Sequence, residues 1–372
     1  MSRARADDTK KVPGAPSSPE LPFTTRFESI GAWVPEQRLA TADLMAQVKM
    51  RFGLDFEGVT GIRERRVCAD GEDSYTLAVA AAEECLSYSS YAAGDLEMLI
   101  CCSISKFKDG LSTVYEPPLS LFVKDALGAT KALTFDVGNA CAGMLTGVFI
   151  LDSFIRRGVV KCGMVVSGEY ITSLATNAIP HVETALSTQL ASLTLGDCGA
   201  AAIMERAKPG RAGLQTASFM TLSRWNDLCI GGPCAHAPGG EMDTNGRKIH
   251  RVAIKALPPI LEKALRECGL DYGDIDYFIP HQTSMQGIES GDRRFSKYFG
   301  AHPRNLVVNL EEYGNTASTS HFLAMYVWLK EQRFKPGERI LLIALASGVV
   351  IGVVTFTMDE LAFRYGHENP VD

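Results

Sequence analysis

The chain has 372 residues, 46% of them hydrophobic and 22% charged, which is enough apolar material for one large core or two fused ones and excludes a disordered or collagen-like protein. A formal charge of −6, with no long Lys/Arg run, excludes a general attraction to nucleic acid. Ten cysteines spread through a long chain, several inside apolar segments such as Cys101-Cys102, suit reduced thiols in a cytoplasm better than a disulfide framework.

In chain order, residues 1–22 mix both charges with Pro, Ser and Gly and hold no apolar run. They are expected to form a disordered tail, neither secretory signal nor anchor. A helix over Ser74–Ser87 precedes a buried strand within Asp95–Cys102. The segment Ala132–Asp152 passes from an alternating β-branched run through small residues into a helix from Ala140 that is apolar on every side and therefore interior. A strand at Met164–Val166 ends in Ser167-Gly168, and a helix over Lys248–Cys268 leads to a strand within Asp274–His281. The uncharged stretch Ile340–Met358 has the length of a membrane span, but its β-branched residues and its glycines predict two buried strands joined by a tight turn.

Alternating strands and helices give an α/β class, and the chain echoes itself. Asp95–Cys102 has the pattern of Asp274–His281, Gly138-Asn139 is matched by Gly314-Asn315, and Ser167-Gly168 by Ser347-Gly348. The shared offset of roughly 180 residues implies two similar halves. They are placed at 23–205, with the nucleophile, and 206–372.

Cys141 is the candidate nucleophile. It falls where the interior helix begins, so unpaired N–H groups and the helix dipole are expected to lower its thiol pKa, and Ala140, Ala142 and Gly143 leave room for a substrate. Cys85, Cys101, Cys102, Cys162, Cys198 and Cys268 read as inert buried thiols. Cys229, Cys234 and His236 fall short of a zinc signature for want of a fourth ligand. His281 and Asn315, at strand ends of the second half, each read equally well as structural residues when taken alone. The duplication favours them as the polar partners of an acylated cysteine.

These residues stand in motifs that resemble the thiolase-fold condensing enzymes of the β-ketoacyl-acyl-carrier-protein synthase III group. The motifs are Thr60-Gly-Ile-Arg-Glu-Arg65, Asn139-Ala-Cys-Ala-Gly143, Pro280-His-Gln282, Tyr313-Gly-Asn-Thr316 and Lys335-Pro-Gly337. The resemblance implies a five-layered αβαβα fold of two similar halves, a homodimer, and a Cys141-His281-Asn315 site at the end of a pantetheine tunnel. The backbone N–H groups of Cys141 and Ser347 would form the oxyanion hole. Val114-Tyr-Glu-Pro-Pro118 is similar to the head-to-head acyl-CoA condensing (OleA-like) subgroup, in which the glutamate, here Glu116, reaches into the partner subunit's site. Thr194-Leu-Gly196, Gly199-Ala-Ala201 and Arg224–Cys229 also look like that subgroup. The departures are Leu345-Ala-Ser-Gly-Val349 where the group has a glycine-rich run, and Ser284 where it has asparagine.

The expected reaction is a non-decarboxylative Claisen condensation: Cys141 takes an acyl group, Glu116 removes the α-proton of a second acyl thioester, and a β-keto product forms. A ketosynthase releasing an α-pyrone, an acyltransferase to a hydroxyl or amine, a decarboxylative chain-initiating synthase and a cysteine hydrolase remain open alternatives. Substrates would arrive on coenzyme A or an acyl carrier protein, with no bound cofactor or metal, no nucleic acid and no membrane span. Arg63, Arg65, Arg224, Gly246, Arg247 and Lys248 are the candidates for holding the carrier.

Overall fold

Short apolar strands separated by capped helices fold here into two five-stranded sheets with the same wiring, beside two small two-stranded ones. The computed structural model describes residues 21–49, 53–208 and 213–366, so the tail expected over 1–22 lies, but for its last two residues, outside the described residues. The strands are β1 (Thr25–Trp33), β2 (Arg38–Ala40), β3 (Glu64–Arg66), β4 (Met98–Cys101), β5 (Leu133–Asp136), β6 (Cys162–Glu169) and β7 (Cys198–Arg206), then β8 (Leu214–Trp225), β9 (Cys229–Pro233), β10 (Gly240–Thr244), β11 (Tyr277–Pro280), β12 (Asn305–Leu306), β13 (Arg339–Ala346) and β14 (Gly348–Thr357). The helices are α1 (Thr41–Ala46), α2 (Phe56–Thr60), α3 (Ser74–Ser87), α4 (Leu119–Leu127), α5 (Gly143–Arg156), α6 (Ser173–Ala178), α7 (Gly246–Glu267), α8 (Met285–Phe299), α9 (Leu310–Tyr313) and α10 (Ser320–Lys330).

One large sheet runs β1-β7-β6-β4-β5 and the other β8-β14-β13-β11-β12, beside the small pairs β2-β3 and β9-β10. In each large sheet, two antiparallel pairings are followed by two parallel ones. α3 and α4 cover the outer face of the first sheet, α7 and α8 that of the second, and α5 and α10 lie between the sheets. The result is the five-layered α/β thiolase fold. The Ile340–Met358 stretch forms β13 and β14, paired from Arg339↔Thr357 to Ala346↔Val350. Its side chains are buried along both strands, each large aliphatic one contributing roughly 1.5–3 kcal/mol through burial. No helix among the described residues is long and apolar enough to cross a membrane.

Helix α3 begins where Asp73 caps it, accepting from Thr76 N while Thr76 Oγ1 accepts from Asp73 N. It lies so close to the first sheet that a Cβ on Gly168 would sit 1.9 Å from Ser74 O, and one on Gly199 2.0 Å from Leu77 O. The second sheet's covering helix, α7, starts at an Asn245 cap and carries Pro258 and Pro259 in its interior.

Two expectations need correction. The residues before α5 form a 3-10 turn, Ala140–Ala142, so the α-helix starts at Gly143, and it is not buried all round because Phe149 is 46% exposed. The structural repeat also runs in a different register from the sequence echo. Ala140–Ala142 before α5 corresponds to the 3-10 turn Ala317–Thr319 before α10, and both turns open on an alanine with positive φ, +46° and +54°. This register equates Cys141 with Ser318 and Asn315 with Gly138, one residue away from the Asn139 match.

The two halves are stitched at their edges. Arg26 of β1 bonds Asp359 through Nε (2.5 Å) and a terminal nitrogen (2.9 Å), and Glu205 through the other (2.6 Å). Tyr365 Oη accepts from Ile30 N (2.7 Å) and donates to Ile30 O (2.5 Å), so the segment after β14 is fastened to β1.

Candidate active site

The turn that bears Cys141 hangs from the end of β5. Val137 N donates to Cys101 O (2.8 Å), carrying the strand pairing two residues short of Asn139. Asn139 Nδ2 then donates to Thr146 Oγ1 (2.8 Å), whose own hydroxyl donates to Ala142 O (2.9 Å). These bonds tie the turn to the first turns of α5 and hold Ala140 in its left-handed conformation, which a non-glycine residue adopts only under constraint. Cys141 packs beside Ile171, Leu195 and Ala317 and keeps part of its surface open.

Its chemistry differs from expectation. Burial pushes the Cys141 thiol up to about 12, with the charges of Cys229 and Glu169 acting in the same direction. A helix N-terminus favours a thiolate, but removing the anion from water costs more at an enclosed position. Resting Cys141 is therefore a thiol.

His281 and Asn315 approach from the second half. The turn Ala140–Ala142 packs against β13 and against Ala317–Thr319. His281 follows β11, and its backbone N–H donates to Ile343 O of β13 (2.9 Å). Its Nδ1 lies 2.8 Å from Ser320 Oγ and its ring stacks on His321, centroids 5.8 Å apart. Burial, then His321, pushes its pKa down to about 3, so the imidazole is neutral. A narrow apolar cleft between α7 and α8 ends against Pro280, His281 and Thr283.

Asn315 is gripped through its backbone by the Thr194–Gly196 segment: its N–H donates to Thr194 O (2.9 Å) and its carbonyl accepts from Gly196 N (3.1 Å). Its side-chain Oδ1 accepts from Ala317 N (3.0 Å). With the oxygen fixed, the Nδ2 hydrogens are the end of the carboxamide available to a substrate oxygen. Ser347 occupies the reversal between β13 and β14, and β13 lies against the Cys141 turn.

The remaining candidates divide. Glu116 stands exposed beside Tyr115, which is 73% exposed, in the loop between β4 and α4, outside the Cys141 turn of its own chain. Arg224 and Lys248 flank the Trp225 ring at 4.6 and 4.7 Å, and Asn245 N donates to Leu228 O, which brings exposed Gly246 and Arg247 to the same patch. Arg63 forms ion pairs with Glu311 (2.7 Å) and Glu312 (3.7 Å). Arg65 is not a surface cation: it is 1% exposed, donates to Thr41 Oγ1 and Leu193 O, and burial lowers its pKa to about 10. It supports the fold and does not meet a carrier.

Sequence reasoning missed Glu169. This buried carboxylate at the end of β6 accepts from Ile104 N (2.9 Å), Ser105 N (3.1 Å), Ser105 Oγ (3.0 Å), Ser167 Oγ (3.2 Å) and Ser318 Oγ (2.5 Å). It joins the β4–α4 loop to the turn that follows Asn315. The available signal was a glutamate closing an otherwise uncharged strand.

Known proteins are similar to this chain in sequence and fold. The family model for 3-oxoacyl-(acyl-carrier-protein) synthase III matches residues 135–222, and that for its C-terminal part matches residues 265–358. The β-ketoacyl-(acyl-carrier-protein) synthase III of Symbiobacterium thermophilum is 26% identical over 346 residues, covering 91% of this chain and 97% of its own. That of Rhodospirillum centenum is 27% identical over 338 residues, covering 89% and 98%. Among solved structures, a variant of Xanthomonas campestris OleA with bound lauric acid and lauroyl-CoA superposes with a TM-score of 0.79 at 23% identity, covering 90% of this chain and 99% of that one. The 3-oxoacyl-(acyl-carrier-protein) synthase III of Aquifex aeolicus VF5 gives 0.76 at 22% identity, covering 90% and 100%.

Proposed function

Because the chain belongs to the 3-oxoacyl-(acyl-carrier-protein) synthase III family of thiolase-fold condensing enzymes, we propose that it joins two acyl thioesters by a non-decarboxylative Claisen condensation on Cys141. In the first step the Cys141 sulfur attacks the acyl carbonyl and gives up its proton to the departing carrier sulfur. The carrier thiol leaves with that proton, and the acyl group stays on Cys141. Backbone N–H groups of Cys141 and Ser347 hold the oxyanion, each lowering the barrier by roughly 3 kcal/mol.

In the second step a carboxylate removes the α-proton of another acyl thioester. The enolate oxygen is held by His281 Nε2–H and Asn315 Nδ2–H, and the carbanion attacks the acyl-cysteine carbonyl. Cys141 leaves as a thiolate and recovers the proton held by the base, giving a β-keto thioester. The observation that carries this reading is a neutral His281 and an Asn315 carboxamide whose oxygen is already occupied, each beside an element, β13 or Ala317–Thr319, that packs against the Cys141 turn. Both are then donors to a developing negative oxygen. A cysteine hydrolase has no need for two such donors beyond its oxyanion hole.

Glu116 of a second copy of this chain is assigned as the base, in a homodimer. Its exposure on a projecting loop supports donation to another subunit better than service to its own. The donors are coenzyme A or acyl-carrier-protein thioesters, met by the Arg224–Trp225–Lys248 patch with Gly246 and Arg247. The experiment is to incubate Glu116→Gln with one labelled acyl-CoA and follow both steps by mass. Acylation of Cys141 should persist while the β-keto product disappears. Loss of both steps together would remove Glu116 from this role, and product formation only with a malonyl donor, with release of carbon dioxide, would replace the reaction with a decarboxylative one.

A further inference from the structure

Ser320 and His321 open helix α10, five and six residues beyond Asn315, and neither side chain has a place in the reaction above. Ser320 is 1% exposed and His321 fully buried. Ser320 Oγ lies 2.8 Å from His281 Nδ1, and among the described residues this ring nitrogen is the hydroxyl's hydrogen-bond partner. A serine hydroxyl always carries a proton to donate, and a buried donor without an acceptor is costly. The hydroxyl therefore donates to Nδ1, which places the His281 proton on Nε2.

His321 secures the same strand end. Its Nε2 lies 2.9 Å from Ile343 O, and a carbonyl oxygen only accepts, so His321 is also protonated on Nε2. The same Ile343 oxygen accepts the backbone N–H of His281 at 2.9 Å. One carbonyl of β13 thus fixes both the chain carrying His281 and the ring stacked on it at 5.8 Å. His321 Nδ1 is buried and without a hydrogen-bond partner among the described residues, so His321 brings no second N–H to compete with the Ser320 hydroxyl.

We infer that Ser320 is a positioning residue that sets the tautomer of His281, with His321 bracing the ring, so that segment 315–321 supplies one enolate donor and orients the other. Without the Ser320 hydroxyl, Nδ1 would lose its donor and the imidazole its bias toward Nε2–H. An enolate oxygen facing a bare Nε2 lone pair is repelled, whereas one facing Nε2–H is held. The loss falls on the condensation step and leaves thioester binding in place.

This inference rests on the role given to His281, and the test separates the two. Nitrogen spectra of histidine-labelled protein at neutral pH, with His281 assigned by its absence in His281→Ala, should show an unprotonated Nδ1 and a protonated Nε2. In Ser320→Ala the His281 signal should move toward the other tautomer, and kcat for condensation should fall about 10- to 100-fold with KM for the acyl thioester unchanged. Ser320→Thr, which keeps the hydroxyl, should restore both the spectrum and kcat. If Ser320→Ala keeps the wild-type spectrum and kcat, or if Thr fails to rescue a folded protein, the positioning role is overturned while the His281 assignment stands. If His281→Ala itself condenses at the wild-type rate, the reading of the site fails first.

Discussion

The turn bearing Cys141 and the turn bearing Ser318 are the same device put to opposite uses. Each begins on an alanine at positive φ, makes one 3-10 turn and enters a helix lying between the sheets. In the first half the central side chain keeps open surface and a free sulfur. In the second half the equivalent hydroxyl is buried and donates to Glu169, with Ser167 Oγ also at 2.8 Å. The strand ends are reversed in the same way: Cys102 after β4 is a buried thiol with its pKa pushed up by burial, whereas its counterpart after β11 is His281. In the proposed reaction each half thus supplies one reactive member of a pair whose other member is structural. A composite site needs both halves, although the fold needs only one wiring diagram.

The most severe way to break this comparison is to remove the sulfur from its first centre. Cys141→Ala should lower turnover by at least about 10³-fold and abolish the acyl-enzyme seen by mass spectrometry, the scale on which losing a covalent nucleophile registers. Retention of a tenth of the activity would disprove the covalent role. The thiol's state gives the next largest effect. Because burial raises its pKa to about 12, the sign is that ionisation increases with pH throughout the working range. Alkylation of Cys141 by iodoacetamide should then rise about tenfold per pH unit from pH 6 to 9 without levelling. A plateau near pH 7 would mean an acidified thiolate after all.

Smaller effects sharpen the contrast between the two sheets. Gly168→Ala forces backbone against backbone under α3 and should cost about 3 kcal/mol in chemical denaturation. At Gly352, in the second sheet, the nearest obstacle is the Phe219 ring at 2.7 Å, a side chain able to turn aside, and Gly352→Ala should cost about 1 kcal/mol. Ser318→Ala lies between, at about 2 kcal/mol, since it removes a donor from a buried carboxylate. Equal costs at Gly168 and Gly352 would show that a backbone obstacle and a side-chain obstacle resist an added methyl alike.

Much of the fold was legible because it is periodic and local. Ser74–Ser87 is a helix as read, Lys248–Cys268 is off by two residues at the start and one at the end, and Ile340–Met358 is the pair of strands its glycine punctuation foretold. Cys141 was visible as a thiol in a turn of small residues before an apolar helix. Its high pKa was not, because the enclosing groups Ile171, Leu195 and Ala317 arrive from three distant segments. Glu169 was hidden for the same reason, its donors coming from residues 104, 105, 167 and 318. The register of the repeat was misplaced by one residue because Gly-Asn pairs resemble each other in sequence, while the backbone equivalence follows the left-handed alanines.

The fastening of residues 359–365 onto β1 limits what the molecule is able to do mechanically. Swinging one half away from the other would tear a fork of charge-assisted bonds from Arg26 and strip a tyrosine from both polar atoms of a single backbone residue, Ile30. Clamshell breathing is therefore closed to this enzyme. An acyl thioester of the proposed reaction would have to pass inward past yielding side chains, and shortening the chain before Tyr365 should loosen the whole body without widening the path to the sulfur.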